Sequence, residues 1–152
     1  MSIKIEKILF PTDFSECAQH ALMYALSLAT EYKAQLIVLH VVPQLNLPPE
    51  MEASAVALYN EMEGKARAKI VKLIPKRFME KIKVQNVVVR GVPFLEIIRE
   101  ARKRNVDLIT IATHGRTGLQ HAMFGSTAEK VARKAPCPVL IVRHPELEFV
   151  SP

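Results

Sequence analysis

The chain has 152 residues, 49% of them hydrophobic, which is enough for one ordinary core and predicts a single domain over residues 1–152. No uninterrupted apolar stretch approaches the ~20 residues of a membrane-spanning helix, and Cys17 and Cys137 match no metal or redox spacing, so a cytoplasmic protein with reduced thiols is expected rather than a membrane protein or a disulfide scaffold. The 21 Lys and Arg against 15 Asp and Glu give a charge of +6 that favours anionic partners, but aromatics are only 6% and Trp is absent. With no stacking platform for a nucleic acid strand, such a partner is not expected, and the dispersed basic runs read as solvated helix faces.

In chain order, Ile5-Glu6-Lys7-Ile8-Leu9-Phe10 reads as a strand. Ala18, Ala21, Leu22, Ala25, Leu28, Ala29 and Tyr32 then recur at helical spacing. Gln35 to Val42 gives a second strand, followed by a Pro-containing loop and a helix with apolar positions at Met51, Ala55, Leu58, Met62, Ala66, Ile70 and Leu73. Gly64 weakens that helix by about 1 kcal/mol relative to Ala, which the long stripe overrides. The third strand runs from Ile82 to Val89, with a turn at Gly91 and a helix opened by Pro93 that places Phe94, Ile97, Ile98 and Ala101 on one face. Val106 to Ala112 is the fourth strand, a glycine-bearing loop follows it, and Ala128, Val131 and Ala132 mark a last helix before the strand Pro138 to Arg143.

Strict alternation of strands and helices predicts an α/β fold, a five-stranded parallel sheet with helices on both faces. In such folds ligands sit beyond the carboxyl ends of the strands, near the point where strand order reverses. Three segments therefore matter: Pro11-Thr12-Asp13-Phe14-Ser15, the residues around Val41, and Ala112 to Thr127. The first loop holds no glycine and no G-K-[ST] occurs, so neither the dinucleotide fingerprint nor a P-loop is present.

The loop from Ala112 to Thr127 has the character of a phosphate cradle. Gly115, Gly118 and Gly125 permit backbone conformations that let several N–H groups face one anion, and Ser126 and Thr127 are expected to cap the next helix, whose N-terminus favours negative charge. Glycines acting only as turns are the alternative.

Lys7 to Ser15, the ending Leu39-His40-Val41, the turn Gly91-Val92-Pro93, and Thr113-His114-Gly115-Arg116 through Gly125-Ser126 together resemble the universal stress protein family over nearly the whole chain. The resemblance implies a Rossmann-like fold of the adenine nucleotide alpha hydrolase type and, for the nucleotide-binding branch, the motif G-x2-G-x9-G-[ST]. Gly115 and Gly125-Ser126 match that motif, while Ala112 stands at its first glycine. It further implies ATP as ligand, with Asp13 and Ala112 at the ribose, backbone near Val41 at adenine, and Gly115, Arg116, Gly125, Ser126 and Thr127 at the phosphates. Pro11 and Thr12 complete the candidate binding set. Because a backbone contact is implied at the first position, Ala112 is tolerated if its φ is negative; a positive φ costs roughly 1 to 2 kcal/mol.

An ionised Asp13 can accept hydrogen bonds from two ribose hydroxyls, whereas its other reading is a cap on the following helix beside Ser15. With no P-loop lysine, phosphate charge is met by backbone N–H groups, the hydroxyls, Arg116 and a bound Mg²⁺ as candidates. No catalytic constellation and no metal-ligating cluster is apparent, and His114 reads as ordering its loop. His20, His40, His121 and His144 read as structural or exposed. Cys17 reads as a small apolar residue in the first turn of a helix, not a redox sensor. The expected function is a nucleotide-dependent stress-response module with at most slow hydrolysis. The alternatives are a slow ATP hydrolase or nucleotidyl-transfer enzyme and a dimeric adaptor without nucleotide. The last strand, Pro138 to Arg143, is a candidate sheet edge, and the resemblance implies a homodimer through it.

Overall fold

The strands are β1 (Lys7–Pro11), β2 (Gln35–Pro43), β3 (Val84–Gly91), β4 (Leu108–Ala112) and β5 (Val139–Val142), with β1, β2 and β4 the apolar, largely buried ones. The computed structural model describes residues 2–115 and 124–143. All pairings are parallel, in the order β3-β2-β1-β4-β5. Chain order therefore reverses between β1 and β4, and it is above this point that a parallel sheet opens a crevice.

The helices are α1 (Glu16–Tyr32), α2 (Glu52–Ile70), α3 (Lys76–Met79), α4 (Pro93–Lys103) and α5 (Ser126–Lys134), with a 3-10 turn at Pro49–Met51. Alternate strand residues point to opposite faces, so Ile8, Phe10, Leu36 and Val38 meet the alanine-rich side of α1 and Ile70 of α2. Leu9, Ile37, Leu39, Ile109 and Ile111 instead meet Ile97 and Ala101 of α4 and Ala128 and Val131 of α5. This double coverage explains why the strands read as continuous hydrophobic runs.

Helix ends follow local chemistry. The Ser15 hydroxyl accepts from Ala18 N–H (3.2 Å) to open α1, and Lys33 closes it in a left-handed conformation, its N–H bonded to carbonyls of the last turn. Helix α2 departs from the expected stripe. Leu58 is exposed, and Tyr59 takes the core position, its hydroxyl accepting from Leu45 N–H (2.7 Å). The predicted continuation to Leu73 instead ends at Ile70, and α3 is one turn long, too short to show a period in sequence. The fourth strand starts at Leu108 because Asp107 Oδ2 accepts from the N–H groups of Glu6 and Lys7, fixing the entrance of β1 against that of β4. Among the described residues no helix is long and apolar enough to cross a membrane.

Candidate functional site

The loop after β1 is built by its own side chains. Thr12 N–H still bonds to Leu39 O (2.8 Å), completing the ladder. Thr12 Oγ1 then accepts from Phe14 N–H (3.0 Å) and Asp13 Oδ1 from Ser15 N–H (3.0 Å). Phe14 is held at φ 63, a left-handed conformation that costs a bulky residue about 1 to 2 kcal/mol. The two turn-forming bonds and the packing of its ring on His40, with centroids 4.5 Å apart, offset that cost. Asp13 therefore does take part in shaping the start of α1, while Ser15 is the residue that caps it.

The end of β2 supplies backbone. Along a parallel strand the N–H and C=O of successive residues point to alternate sides. Gln35 N–H bonds to Glu6 O and Leu39 O accepts from Thr12, so odd-numbered residues of β2 address β1. The β1 ladder stops at Pro11 opposite Leu39, whereas β2 continues beside β3 as far as Pro43. Val41 thus turns one donor and one acceptor toward the space where β1 has ended. His40 braces the arrangement, since its Nδ1–H donates to the Thr12 carbonyl (2.8 Å), which can only accept.

These segments and the loop after β4 enclose a cavity of about 530 Å³ at the switch point. Pro11, Thr12, Asp13, Val41, Ala112, Gly115, Gly125, Ser126 and Thr127 all line it; Arg116 lies outside the described residues. Helix α2 adds a side that the sequence reading missed. Met62, Lys65, Ala66 and Lys69 line the cavity at helical spacing; in sequence the two lysines make this stripe look like a solvated face. Asp13 is the one acidic residue lining it among the described residues. Lys65 Nζ hydrogen-bonds Glu61 (2.5 Å), and that bond holds the Glu61 carboxyl below the usual carboxylate range. Lys69 lies over the Phe14 ring, 5.6 Å from its centroid.

With the cavity placed over the reversal of strand order, the comparison with known proteins is decisive: the model of the universal stress protein family matches residues 4–143. The chain belongs to the universal stress protein family. Universal stress protein MJ0531 of Methanocaldococcus jannaschii is 35% identical over 146 residues, covering 94% of this chain and 85% of that protein. Universal stress protein MJ0577 of the same organism is 32% identical over 160 residues, 94% of this chain and 98% of that one. Its solved structure superposes with a TM-score of 0.81 over 95% of this chain and 99% of its own. A universal stress protein solved in complex with cAMP shares the fold at a TM-score of 0.69 and 21% identity, over 91% of this chain and 97% of its own.

The glycine motif of this universal stress protein is realised differently from the sequence expectation. Among the described glycines only Gly91 has positive φ, so neither Gly115 nor Gly125 is required for left-handed backbone; Gly118 lies outside the described residues. Close approach is what requires them. A Cβ on Gly115 would stand 2.5 Å from Asp13 Oδ2, and one on Gly125 would stand 2.9 Å from the Thr113 carbonyl oxygen. Ala112 ends β4 outside the positive-φ residues and packs in the core beside α1, so the methyl in place of the motif's first glycine carries no left-handed strain.

Ser126 and Thr127 do not cap α5 as anticipated. Gly125 occupies the cap position at φ −67 and ψ 153, and the two hydroxyl residues form the first helical turn. Glu129 N–H bonds back to Gly125 O (3.1 Å), so the N–H groups ahead of it have no intrahelical acceptor and face the end of the cavity with the positive end of the helix dipole. His40 and His114 both line the cavity. Among the described residues no three His, Cys, Asp or Glu side chains come together as a metal site.

Proposed function

We propose that this member of the family binds ATP and acts as a nucleotide-dependent stress-response module, with at most slow hydrolysis. The observation that carries the reading is the convergence of three separate chain segments on one cavity: Asp13, the backbone of Val41, and the start of α5. Val41 offers an adjacent donor and acceptor suited to a purine edge, Asp13 an acceptor pair suited to ribose hydroxyls, and Gly125, Ser126 and Thr127 N–H groups and hydroxyls suited to phosphate. Among proteins of this fold, the one solved with cAMP holds an adenine nucleotide, which supports the ligand class. A Mg²⁺ accompanying the nucleotide would rest chiefly on its phosphates and on water, since Asp13 is the one carboxylate at hand among the described residues.

Among the described residues lining the cavity Asp13 is the one carboxylate and no glutamine is present, which supports reading the site as one that holds the nucleotide. Calorimetric titration of nucleotide-stripped protein with ATP and Mg²⁺ beside GTP tests the reading. Micromolar ATP binding with weaker GTP binding is expected. No heat, together with an unshifted melting temperature at millimolar ATP, overturns it.

A further inference from the structure

Helix α2 forms one wall of the cavity, and Ala66 anchors it there. Ala66 is buried and packs in one cluster with Val42, Tyr59 and the partly buried Phe14. Met62, Lys65 and Lys69 lie on the same side of the helix, at spacings that bring side chains together, and all three line the cavity. Both lysines are therefore carried on a wall whose position the core fixes.

The two lysines differ in how much charge they leave uncancelled. Lys65 Nζ hydrogen-bonds Glu61 (2.5 Å), and both side chains of that pair are largely exposed. Glu63, the other acid on this stretch, is taken by Arg67 and Arg90. Among the described residues no carboxylate pairs with Lys69. Its ammonium lies over the Phe14 ring, 5.6 Å from the centroid, a contact that leaves the charge in place. Phe14 itself lines the cavity, so the charge of Lys69 stands beside that space. Against these cations Asp13 is the one acidic lining residue among the described residues, and the α5 N-terminus adds further positive potential.

A cavity of about 530 Å³ measures roughly 8 Å across if equant, no more than the screening length of about 8 Å at physiological salt. A charge on its wall therefore acts on a ligand inside without touching it, and a cleft lined mainly by one sign draws in ligands of the other. We infer that Lys69, and Lys65 to a lesser degree, make the α2 wall an electrostatic selector for polyanionic nucleotides over neutral nucleosides. This rests on the nucleotide reading of the cavity and adds two residues to it as determinants of preference for phosphorylated ligands. No bond forms or breaks, and no particular phosphate oxygen has to meet either ammonium.

Titrating wild type and variants with ATP and with adenosine, at fixed Mg²⁺ and at low and high salt, tests this. At low salt Lys69→Gln loses about threefold to tenfold in ATP affinity and nothing in adenosine affinity, and its ATP affinity depends less steeply on salt than that of wild type. Lys69→Arg, which keeps the charge, behaves as wild type. Lys65→Gln loses less than Lys69→Gln because Glu61 already offsets that charge, and Glu61→Gln raises ATP affinity, a gain that no packing role of the helix produces. Wild-type ATP affinity and salt dependence in Lys69→Gln overturn the inference, as does a loss shared equally by adenosine, which would make Lys69 a support for the Phe14 ring alone. Failure of wild type itself to bind ATP overturns the nucleotide reading and this inference with it.

Discussion

Asp13 shapes its own turn and, in the function we propose, holds the ribose, and substitution can separate the two. Oδ1 accepts from Ser15 N–H and shapes the turn into α1, while Oδ2 lies close against Gly115. Asp13→Asn preserves the local acceptor and removes the charge, so it should weaken ATP binding by roughly tenfold to a hundredfold with little change in thermal midpoint. Asp13→Ala removes both and should also lower stability by about 1 kcal/mol. Equal ATP affinity in wild type and Asp13→Asn by calorimetry would remove the carboxylate from the ribose role. The two motif glycines should separate in the same way. Gly125→Ala drives a methyl group into a backbone carbonyl that cannot swing aside, so a loss of about 1 to 3 kcal/mol in denaturant titration is expected. Gly115→Ala meets a side chain instead, so it should displace the Asp13 carboxylate and weaken ATP binding with a smaller loss of stability. A nucleotide affinity unchanged in Gly115→Ala would count against the closeness of these two residues mattering for the ligand. Cys137 belongs at this scale too: burial, as the leading cause, raises its thiol above the usual range, so slow alkylation of the native protein at neutral pH is expected.

Elements were legible in sequence to the extent that packing imposes a period. Strands such as Leu36 to Leu39 sit between two helical layers and show as unbroken aliphatic runs, and the small residues of α1 recur at Ala18, Ala21, Ala25 and Ala29 where the helix lies close on the sheet. Helix α2 was less legible because its sides serve different neighbours. Its core contacts are few, namely Ala55, Tyr59, Ala66 and Ile70, and the stripe carrying Lys65 and Lys69 faces a cavity and not a packed layer. Which way the Val41 backbone points was beyond the residue string altogether, since it depends on β1 stopping two residues before its neighbour's odd-numbered groups run out. The cap of α1 offers a direct test of how local chemistry sets an element. Ser15→Ala removes the acceptor for Ala18 N–H, and a loss of about 1 kcal/mol is expected. Because the cap adjoins the Asp13 turn, ATP affinity should fall slightly with it; a stability unchanged in urea titration would show the hydroxyl dispensable.

At the scale of the whole molecule, the parallel sheet leaves two edges of different character. Along β3, residues such as Gln85, Asn86 and Arg90 face outward, and Arg90 is tied to Glu63 and stacked 4.1 Å from the Tyr59 ring centroid. Polar and charged groups of this kind discourage another strand from adding to that edge. The edge at β5 is short and apolar, with Leu140 36% exposed and Val139 and Ile141 half-buried. A two-fold axis beside it would pair the strand antiparallel with its copy and cover Leu140 in an isologous interface, which is the homodimer we propose. Light scattering at micromolar concentration should give twice the chain mass, and Leu140→Lys, which places two like charges across the axis, should give a monomer. The nucleotide cavity lies at the carboxyl ends of β1, β2 and β4, so this monomer should still bind ATP. A wild-type monomer at that concentration, or a Leu140→Lys dimer, would reject β5 as the interface.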